Sequence, residues 1–503
     1  MTQTGKVYLI GAGPGDPGLI TVKGLHCLRA ADVIVYDAAI NPALLREARP
    51  DAELIVVDRN AVRGSLSEEV NRLLVERAAA GKVVVRLEKD DPFLFGSGSE
   101  EAEALAATGI PWEVVPGVIA AVAAPAYAGV PVTHRNFTAT FAAIASEEQL
   151  MSMAWDKVAS GDSTLVFSVA AGKVEQIAEQ LLAHGCPSQT PIMVIYRGTT
   201  LQQQTISGVL ADIGVHVRAA GIDAPAIAVI GDVVGLRSHL RWFDRRPLWG
   251  KRVLVTRAAE QALELCELLE QAGAEPIVLS TIRIEPAADY GPLDRALAHL
   301  EHYQWVIFTS VNGWRAVVTR LRDLGRDWRV FGNVKLAAIG PATAGALRAS
   351  GFQVDLVPSE YVAEGILAAI GEVRGQRILL PRADIARETL AAELRRRGAV
   401  VDEVVAYRTV SEQTAPIQLR ELLAAHRVDV ITFTSSSTVR NFVAMLGDSV
   451  PTELLREIVV ACIGPITAQT ARQMGIMPTI VAQEYTMAGL TSAIVEYFAG
   501  RKN

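Results

Sequence analysis

Short β-branched runs alternate with alanine- and leucine-rich stretches along almost the whole chain, and this alternation limits the fold more than any other feature. The runs include "KVYLIG", "DVIVYD", "KVVVRL" and "STLVFSV", then "RVLVTR", "WVIFTS", "KLAAIG", "RILLPR", "DVITFTS" and "VVACIG". Strands separated by helical segments join through crossovers, which gives parallel sheets covered by helices, the α/β class. At 503 residues the chain has room for about three or four domains of ordinary size.

The stretch "RWFDRRPLWGKR" is charged, carries a proline, a glycine and two tryptophans, and precedes a fresh strand. It places a linker at 241–250 between a first part, 1–240, and a second, 251–503. The second part repeats itself. "FTSVNG" returns as "FTSSST" 125 residues later, and "AIGPATAGAL" returns as "CIGPITAQTA" 124 residues later. Two motifs in one order at one spacing imply two similar α/β lobes.

Composition removes several classes. Half the residues are hydrophobic and a fifth charged, the balance of a globular protein. A formal charge of −7 leaves no global basic field, so no nucleic-acid partner is expected, although a local arginine patch would serve a polyanionic small molecule. Cys27, Cys186, Cys266 and Cys462 lie far apart without a C-x-x-C or a His-rich neighbourhood, so neither disulfides nor a metal site are expected. The polar N-terminus reaches its first strand at once, and "VIAAVAAPAYAGVPV" is broken by prolines. No signal peptide and no membrane span are expected, and the location expected is cytoplasmic.

The first strand breaks into Gly11-Ala-Gly13-Pro-Gly15-Asp16. A dinucleotide loop needs glycine at the sixth position, where Asp16 stands, which disfavours NAD. "ADVIVYD" ending in Asp37, "RLEKDDPFLFGSGSEE", "VPGVIAAVAAPAYAGVPVTHR", "YRGTTLQQQTISGVLADI" and "APAIAVIGDVV" follow in order. This set resembles the tetrapyrrole methylases, most closely uroporphyrinogen-III C-methyltransferase, over residues 5–238. The resemblance implies two α/β lobes with S-adenosyl-L-methionine between them and a possible homodimer. It gives cofactor contacts to Gly13, Pro14, Gly15, Asp16, Asp91, Leu94, Gly198 and Thr199, and an acid/base role to Asp37.

The chain also departs from that pattern. Arg59 replaces a lysine, Ala38 an arginine, and Glu88, Lys89 and Asp90 replace Lys-Gly-Gly. Loss of both glycines is expected to obstruct the ligand or reshape the turn. Ser97 replaces an arginine suited to substrate carboxylates, Ile119 and Ala120 replace Thr-Ser, Val169 a methionine, and Ala145-Ser146 a Thr-Gly-His. Three readings stay open: a working methylase, a silent frame for binding or dimerisation, or a methylase of another substrate.

From about Gly250 onward "VLVTR", "FTSVNG", "AIGPATAGAL", "LLPRADIARETL", "VVAYRT", "DVITFTSSSTVRNF", "CIGPITAQTA" and "EYTMAGL" resemble uroporphyrinogen-III synthase. That family closes hydroxymethylbilane into uroporphyrinogen III with inversion of the last ring, and the resemblance implies no cofactor. Tyr407 falls where the family places its tyrosine, a donor to the leaving hydroxyl or a structural strand tyrosine. Arg257 and Arg382 end strands and Arg387 lies on a helix, each a candidate partner for carboxylates. Ser310, Asn312, Thr434, Ser435 and Ser436 in the F-T-S turns, and Thr343 and Thr467 in the G-P-x-T turns, either moor substrate carboxylates or cap helices. The whole chain is expected to be a fusion in tetrapyrrole biosynthesis.

Overall fold

The computed structural model describes residues 5–57, 65–145, 150, 153–159, 163–222, 224–257, 259–280, 282–384, 389–411, 415–447 and 452–501. Arg59, Ser146 and Arg387 lie outside the described residues. The chain divides into two compact units, Met1–Lys251 with Glu270–Glu275, and Arg252–Leu269 with Pro276–Asn503.

The first unit begins with β1 (Lys6–Gly11), β2 (Val33–Asp37), β3 (Glu53–Val57), β4 (Val83–Glu88) and β5 (Trp112–Val115). They form one sheet in the order β3-β2-β4-β1-β5, with every pair parallel. The aliphatic faces of β1, β2 and β4 are buried on both sides, as a helix-covered parallel sheet requires. A second sheet takes β6 (Phe141–Ile144), β7 (Thr164–Ala170), β8 (Pro191–Tyr196), β9 (Gln204–Val209) and β10 (Pro225–Ile230) in the order β6-β7-β10-β8-β9.

The expectation of parallel sheets fails in this second sheet. Only β6 and β7 pair in parallel, whereas β10 runs antiparallel to both β7 and β8, and β8 to β9. The turn between β8 and β9 is too short to hold a crossover helix, so the two strands fold back as a hairpin.

The proposed linker is part of the first unit. Trp242 donates its indole N–H to the Ala126 carbonyl at 3.0 Å, and buried Phe243 packs its ring 4.6 Å from that of Tyr127. Gly129 lies so close that an added Cβ would stand 2.6 Å from the Arg241 Cα.

The second unit holds two five-stranded sheets. One contains β11 (Arg252–Val255), β12 (Glu275–Val278), β18 (Val430–Phe433), β19 (Val459–Cys462) and β20 (Ile480–Val481) in the order β12-β11-β18-β19-β20. The other contains β13 (Ile282–Pro286), β14 (Trp305–Phe308), β15 (Lys335–Ala338), β16 (Arg377–Ala383) and β17 (Val400–Ser411) in the order β13-β17-β16-β14-β15, with only β13 antiparallel to its neighbour. The second lobe is therefore inserted in sequence between β12 and β18 of the first. Strands β14, β18 and β19 are buried at every residue, which is why "WVIF", "VITF" and "VVAC" show no alternation. The two halves of the sequence repeat fall one in each lobe, at the C-terminal ends of parallel strands.

Candidate active sites

In the first unit the glycine loop is built by close backbone approach. A Cβ on Gly11 would meet the Asp90 carbonyl oxygen at 2.4 Å and the Gly117 Cα at 2.5 Å, so only glycine lets three segments cross here. Gly13 takes φ 83° and bridges Asp90. Asp90 itself takes φ 61°, the left-handed backbone a glycine would adopt, so the loop keeps its turn despite the lost glycine. Its carboxylate accepts the Ala120 N–H at 2.8 Å and caps the helix Ala120–Tyr127. Burial pushes the Asp90 carboxyl up from its ordinary value, against the Ala120 hydrogen bond and the positive charge of Lys89. Asp91 spans the next gap, accepting Gly117 N–H and Phe93 N–H at 2.8 Å each. Leu94 bridges Asp91 through its backbone and leaves its side chain exposed.

Asp16, Gly15, Gly198 and Thr199 also meet. Thr199 Oγ1 accepts the Asp16 N–H at 3.2 Å, and the Thr199 N–H donates to Gln203 Oε1 at 2.9 Å. Asp16 accepts from the Gly18 N–H and from the Tyr127 hydroxyl, both at 2.8 Å. Gly198 sits against a helix, where a Cβ would lie 2.4 Å from that of Ala124. Pro14 is buried beside this joint. Asp16 and Thr199 thus use their polar atoms to lock the two lobes' loops together.

Asp37 lies elsewhere, in a buried charge cluster. Arg86 is wholly buried on β4, its Nη2 donates to Asp37 Oδ1 at 2.6 Å, and its Nε donates to Glu101 Oε1 at 3.0 Å. Burial opposes the guanidinium charge, but Glu101, Asp37 and Glu88 together hold it firmly charged. Glu88 is buried and accepts the Ser97 N–H at 3.2 Å. Asp37 Oδ2 also accepts the Lys89 N–H at 3.2 Å, so this carboxylate anchors the 88–91 loop as well as its arginine. Val169 is buried in the core of the second sheet, while Ile119 precedes the helix that Asp90 caps.

In the second unit Tyr407, within β17 opposite the last residue of β16, places its hydroxyl 3.0 Å from Ser310 Oγ. Burial pushes the phenol up, and the Ser310 hydrogen bond pulls the other way. Ser310 is the N-cap of the helix Val311–Asp323 and accepts the Gly313 N–H at 3.0 Å. Asn312 in that first turn is buried, and its Oδ1 has no hydrogen-bond partner among the described residues. Arg382 lies 2.5 Å from Glu403. With Thr309, Ile339, Tyr361 and Leu380 it lines a cavity of about 330 Å³ at the C-terminal ends of β14, β15 and β16.

The other lobe mirrors this. Ser435 caps the helix Ser436–Leu446, Ser436 pairs with Thr470 at 2.7 Å, and Thr434 sits half-buried between strand and cap. Arg257 follows β11 and is mostly buried. Its guanidinium donates to Gln261 at 3.2 Å and to the Met487 sulfur at 3.6 Å, and to no carboxylate among the described residues. Burial pulls its pKa down, only partly offset by Glu264. A buried guanidinium of this kind gains most from an anionic ligand.

The two repeated turns differ in a way the sequence hides. The F-T-S helices have their first N–H groups satisfied by Ser310 and Ser435, whereas the G-P-x-T helices Pro341–Ala349 and Pro465–Gln473 have no side-chain cap. Their first intrahelical bonds are Ala344 N–H to Gly340 and Ala468 N–H to Gly464, each 3.0 Å. The unused donors therefore precede Ala344 and Ala468. Thr343 and Thr467 are buried at the third helical position and cap nothing. Over these turns stand two exposed tyrosines missed in the sequence. A Cβ on Gly340 would meet the Tyr361 ring at 3.3 Å, and one on Gly464 the Tyr485 ring at 3.0 Å. Their signal was a third repeat, "SEYVAEGI" against "QEYTMAGL".

A glycine-loop methylase frame followed by paired lobes with carboxylate-sized donor sets defines an enzyme of tetrapyrrole chemistry. The Tetrapyrrole (Corrin/Porphyrin) Methylases model matches residues 6–214, and the Uroporphyrinogen-III synthase HemD model matches residues 264–492. The chain is 33% identical over 506 residues to the porphyrin biosynthesis protein HemD of Ruminiclostridium josui, covering 99% of each. It is 38% identical over 363 residues to the uroporphyrinogen-III C-methyltransferase of Bacillus subtilis, covering 71% of this chain and 74% of that one. The native form of uroporphyrin III C-methyl transferase from Thermus thermophilus matches 46% of this chain and 100% of its own, at 35% identity and TM-score 0.40. The chain belongs to the HemD family of porphyrin biosynthesis proteins, here a tetrapyrrole methylase joined to a uroporphyrinogen-III synthase. No helix among the described residues is long and apolar enough to cross a membrane.

Proposed function

We propose that the second unit closes hydroxymethylbilane into uroporphyrinogen III and that the first unit methylates that product from S-adenosyl-L-methionine. The observation that carries the synthase reading is the Ser310–Tyr407 pair, beside the C-terminal ends of β14 and β16. Ser310 donates to the phenolic oxygen, which leaves the phenol's own hydrogen for the substrate hydroxyl. As the terminal pyrrole nitrogen pushes electrons toward its ring, the C–O bond breaks and the oxygen departs as water with that proton's help. The substituted carbon of the last ring then attacks the azafulvene carbon to give the spiro intermediate. That ring carbon's bond to the preceding methylene breaks, the methylene bonds instead to the free α carbon of the last ring, and the proton of that α carbon returns to the Tyr407 phenolate.

Steering comes from the carboxylate sites. Arg257, Arg382, Asn312 and the uncapped turns at Gly340 and Gly464 hold acetate and propionate groups, with Thr434, Ser435 and Ser436 beside the second lobe's cap. Tyr361 and Tyr485 lay their rings against neighbouring pyrroles. No cofactor or metal takes part in this step.

The glycine loop fits S-adenosyl-L-methionine because Asp90 preserves the left-handed turn and turns its carboxylate to the Ala120 N–H. Gly13, Pro14, Gly15, Asp91, Leu94 and Gly198 would hold it, with Asp16 and Thr199 locking the loop from behind. When bound it supplies an electrophilic methyl group. Asp37, tied to Arg86, acts by holding the 88–91 loop in place, and a homodimer through this unit accompanies the assignment. A second reading, a silent methylase frame, is favoured by Glu88, a buried carboxylate in place of the family's loop lysine, and by Ser97 in place of an arginine suited to substrate carboxylates. The test is the product formed from hydroxymethylbilane with and without the methyl donor: type III product in both supports the synthase, and added methyl groups support the methylase.

A further inference from the structure

Far from Ser310 and Tyr407, the turn that follows the helix Gly291–Ala298 gathers His299, Glu301 and His302. The sequence there reads H-L-E-H, two histidines flanking a carboxylate, in a chain whose cysteines have no His-rich neighbourhood. In a 3₁₀ turn, Leu300–His302, residues three apart eclipse one another. The rings of His299 and His302 accordingly lie parallel within 7°, centroids 5.4 Å apart. Leu300 and Tyr303 are buried in the lobe's core and fix the turn, leaving the three polar side chains outward.

Both imidazoles aim a nitrogen at one carboxylate oxygen. His299 Nδ1 lies 3.4 Å and His302 Nε2 3.8 Å from Glu301 Oε1, and all three ligand atoms fall within 4.8 Å of one another. A tetrahedral ion with bonds of about 2.0–2.1 Å separates its donor atoms by about 3.4 Å, so small side-chain rotations close the set. One histidine would satisfy Glu301 as an ion pair; the convergence of two is what a metal needs.

We propose that His299, Glu301 and His302 form a surface site for a divalent transition ion of the zinc and copper kind. Two imidazoles and a carboxylate disfavour magnesium and calcium, which take all-oxygen shells. Three protein ligands leave a fourth position for water or an anion. That position opens on a cavity of about 700 Å³ which His299 and His302 line together with Arg295, and with Arg377 and Arg395 paired to Asp402 and Glu403. A small anion bound to the ion would meet the Arg295 guanidinium there. The turn precedes β14, whereas Ser310 follows it, so the metal sits at the opposite end of the sheet from the synthase residues.

The test titrates metal-stripped full-length protein with zinc sulfate and with magnesium chloride by calorimetry, for wild type, H299A/H302A and E301Q. One equivalent of zinc is expected, bound about a hundredfold or more tighter than magnesium. The double variant should lose that equivalent, and E301Q should weaken it by about tenfold. With copper(II), paramagnetic resonance should show two nitrogen couplings in wild type and one in H302A. Circular dichroism checks that the variants fold. An unchanged zinc isotherm in the double variant, or no saturable zinc binding in wild type, overturns the site.

Discussion

Ser310 Oγ stands 3.0 Å from the Tyr407 hydroxyl while accepting the Gly313 N–H at 3.0 Å, so one serine caps a helix and orients a phenol. Tyr407→Phe removes the proposed acid and keeps the ring. It should lower kcat by about 10- to 100-fold, below the full range for general acids because the substrate's nitrogen also drives departure. Ser310→Ala should lower it less. Both variants should still form the type III isomer in separated products; unchanged kcat in Tyr407→Phe would remove the phenol from the mechanism.

Arg257 is the cation to remove if carboxylates are gripped in the second unit, because no carboxylate among the described residues pairs with it. A charge-assisted hydrogen bond contributes about 1.5–3 kcal/mol, so Arg257→Ala should raise KM by about 10- to 100-fold with a smaller change in kcat. Arg257→Lys should recover part of it. Steady-state kinetics on hydroxymethylbilane decide this.

Much of the architecture was legible beforehand. The β-branched runs became strands, and the repeated F-T-S and G-P-x-T motifs fell at equivalent strand ends in two lobes. What stayed hidden depends on strand order. Val35 and Arg86 are neighbours in register across β2 and β4, which alone brings Asp37 to its arginine. The antiparallel β10 was equally unreadable, since its "APAIAVIG" run looks the same in either direction. The difference between capped and uncapped turns needed side-chain positions. The approach of His299 to His302 depends on the three-residue period of a 3₁₀ turn, which the short H-L-E-H stretch does not announce.

Replacing Arg86 by Met would leave Asp37, Glu88 and Glu101 buried together without their cation. Breaking a buried pair from one side costs about 3–5 kcal/mol. The urea transition of the first unit should fall accordingly, while synthase activity persists. A loss under about 1 kcal/mol would mean that the cluster is hydrated.

Asp90 makes the first unit's stability pH-dependent. Its carboxyl is raised in the folded state, so the contribution is fully present below the ordinary aspartate value and is lost as pH rises through the folded one. Asp90→Asn keeps an acceptor for the Ala120 N–H and tolerates the left-handed backbone. The variant should therefore be more stable than wild type near pH 7, with the gap closing as pH falls toward about 4. Urea midpoints at the two pH values measure it, and an equal gap at both would contradict the assignment.

The central claim is that one chain both closes and methylates a tetrapyrrole. The most direct measurement gives purified full-length protein hydroxymethylbilane, with and without S-adenosyl-L-methionine, and separates the products by ring isomer and mass. Uroporphyrinogen III is expected in both samples, with added methyl groups only where the donor is present. Type I isomer alone, as forms without enzyme, would contradict the synthase assignment, and type III product that never gains a methyl group would contradict the methylase.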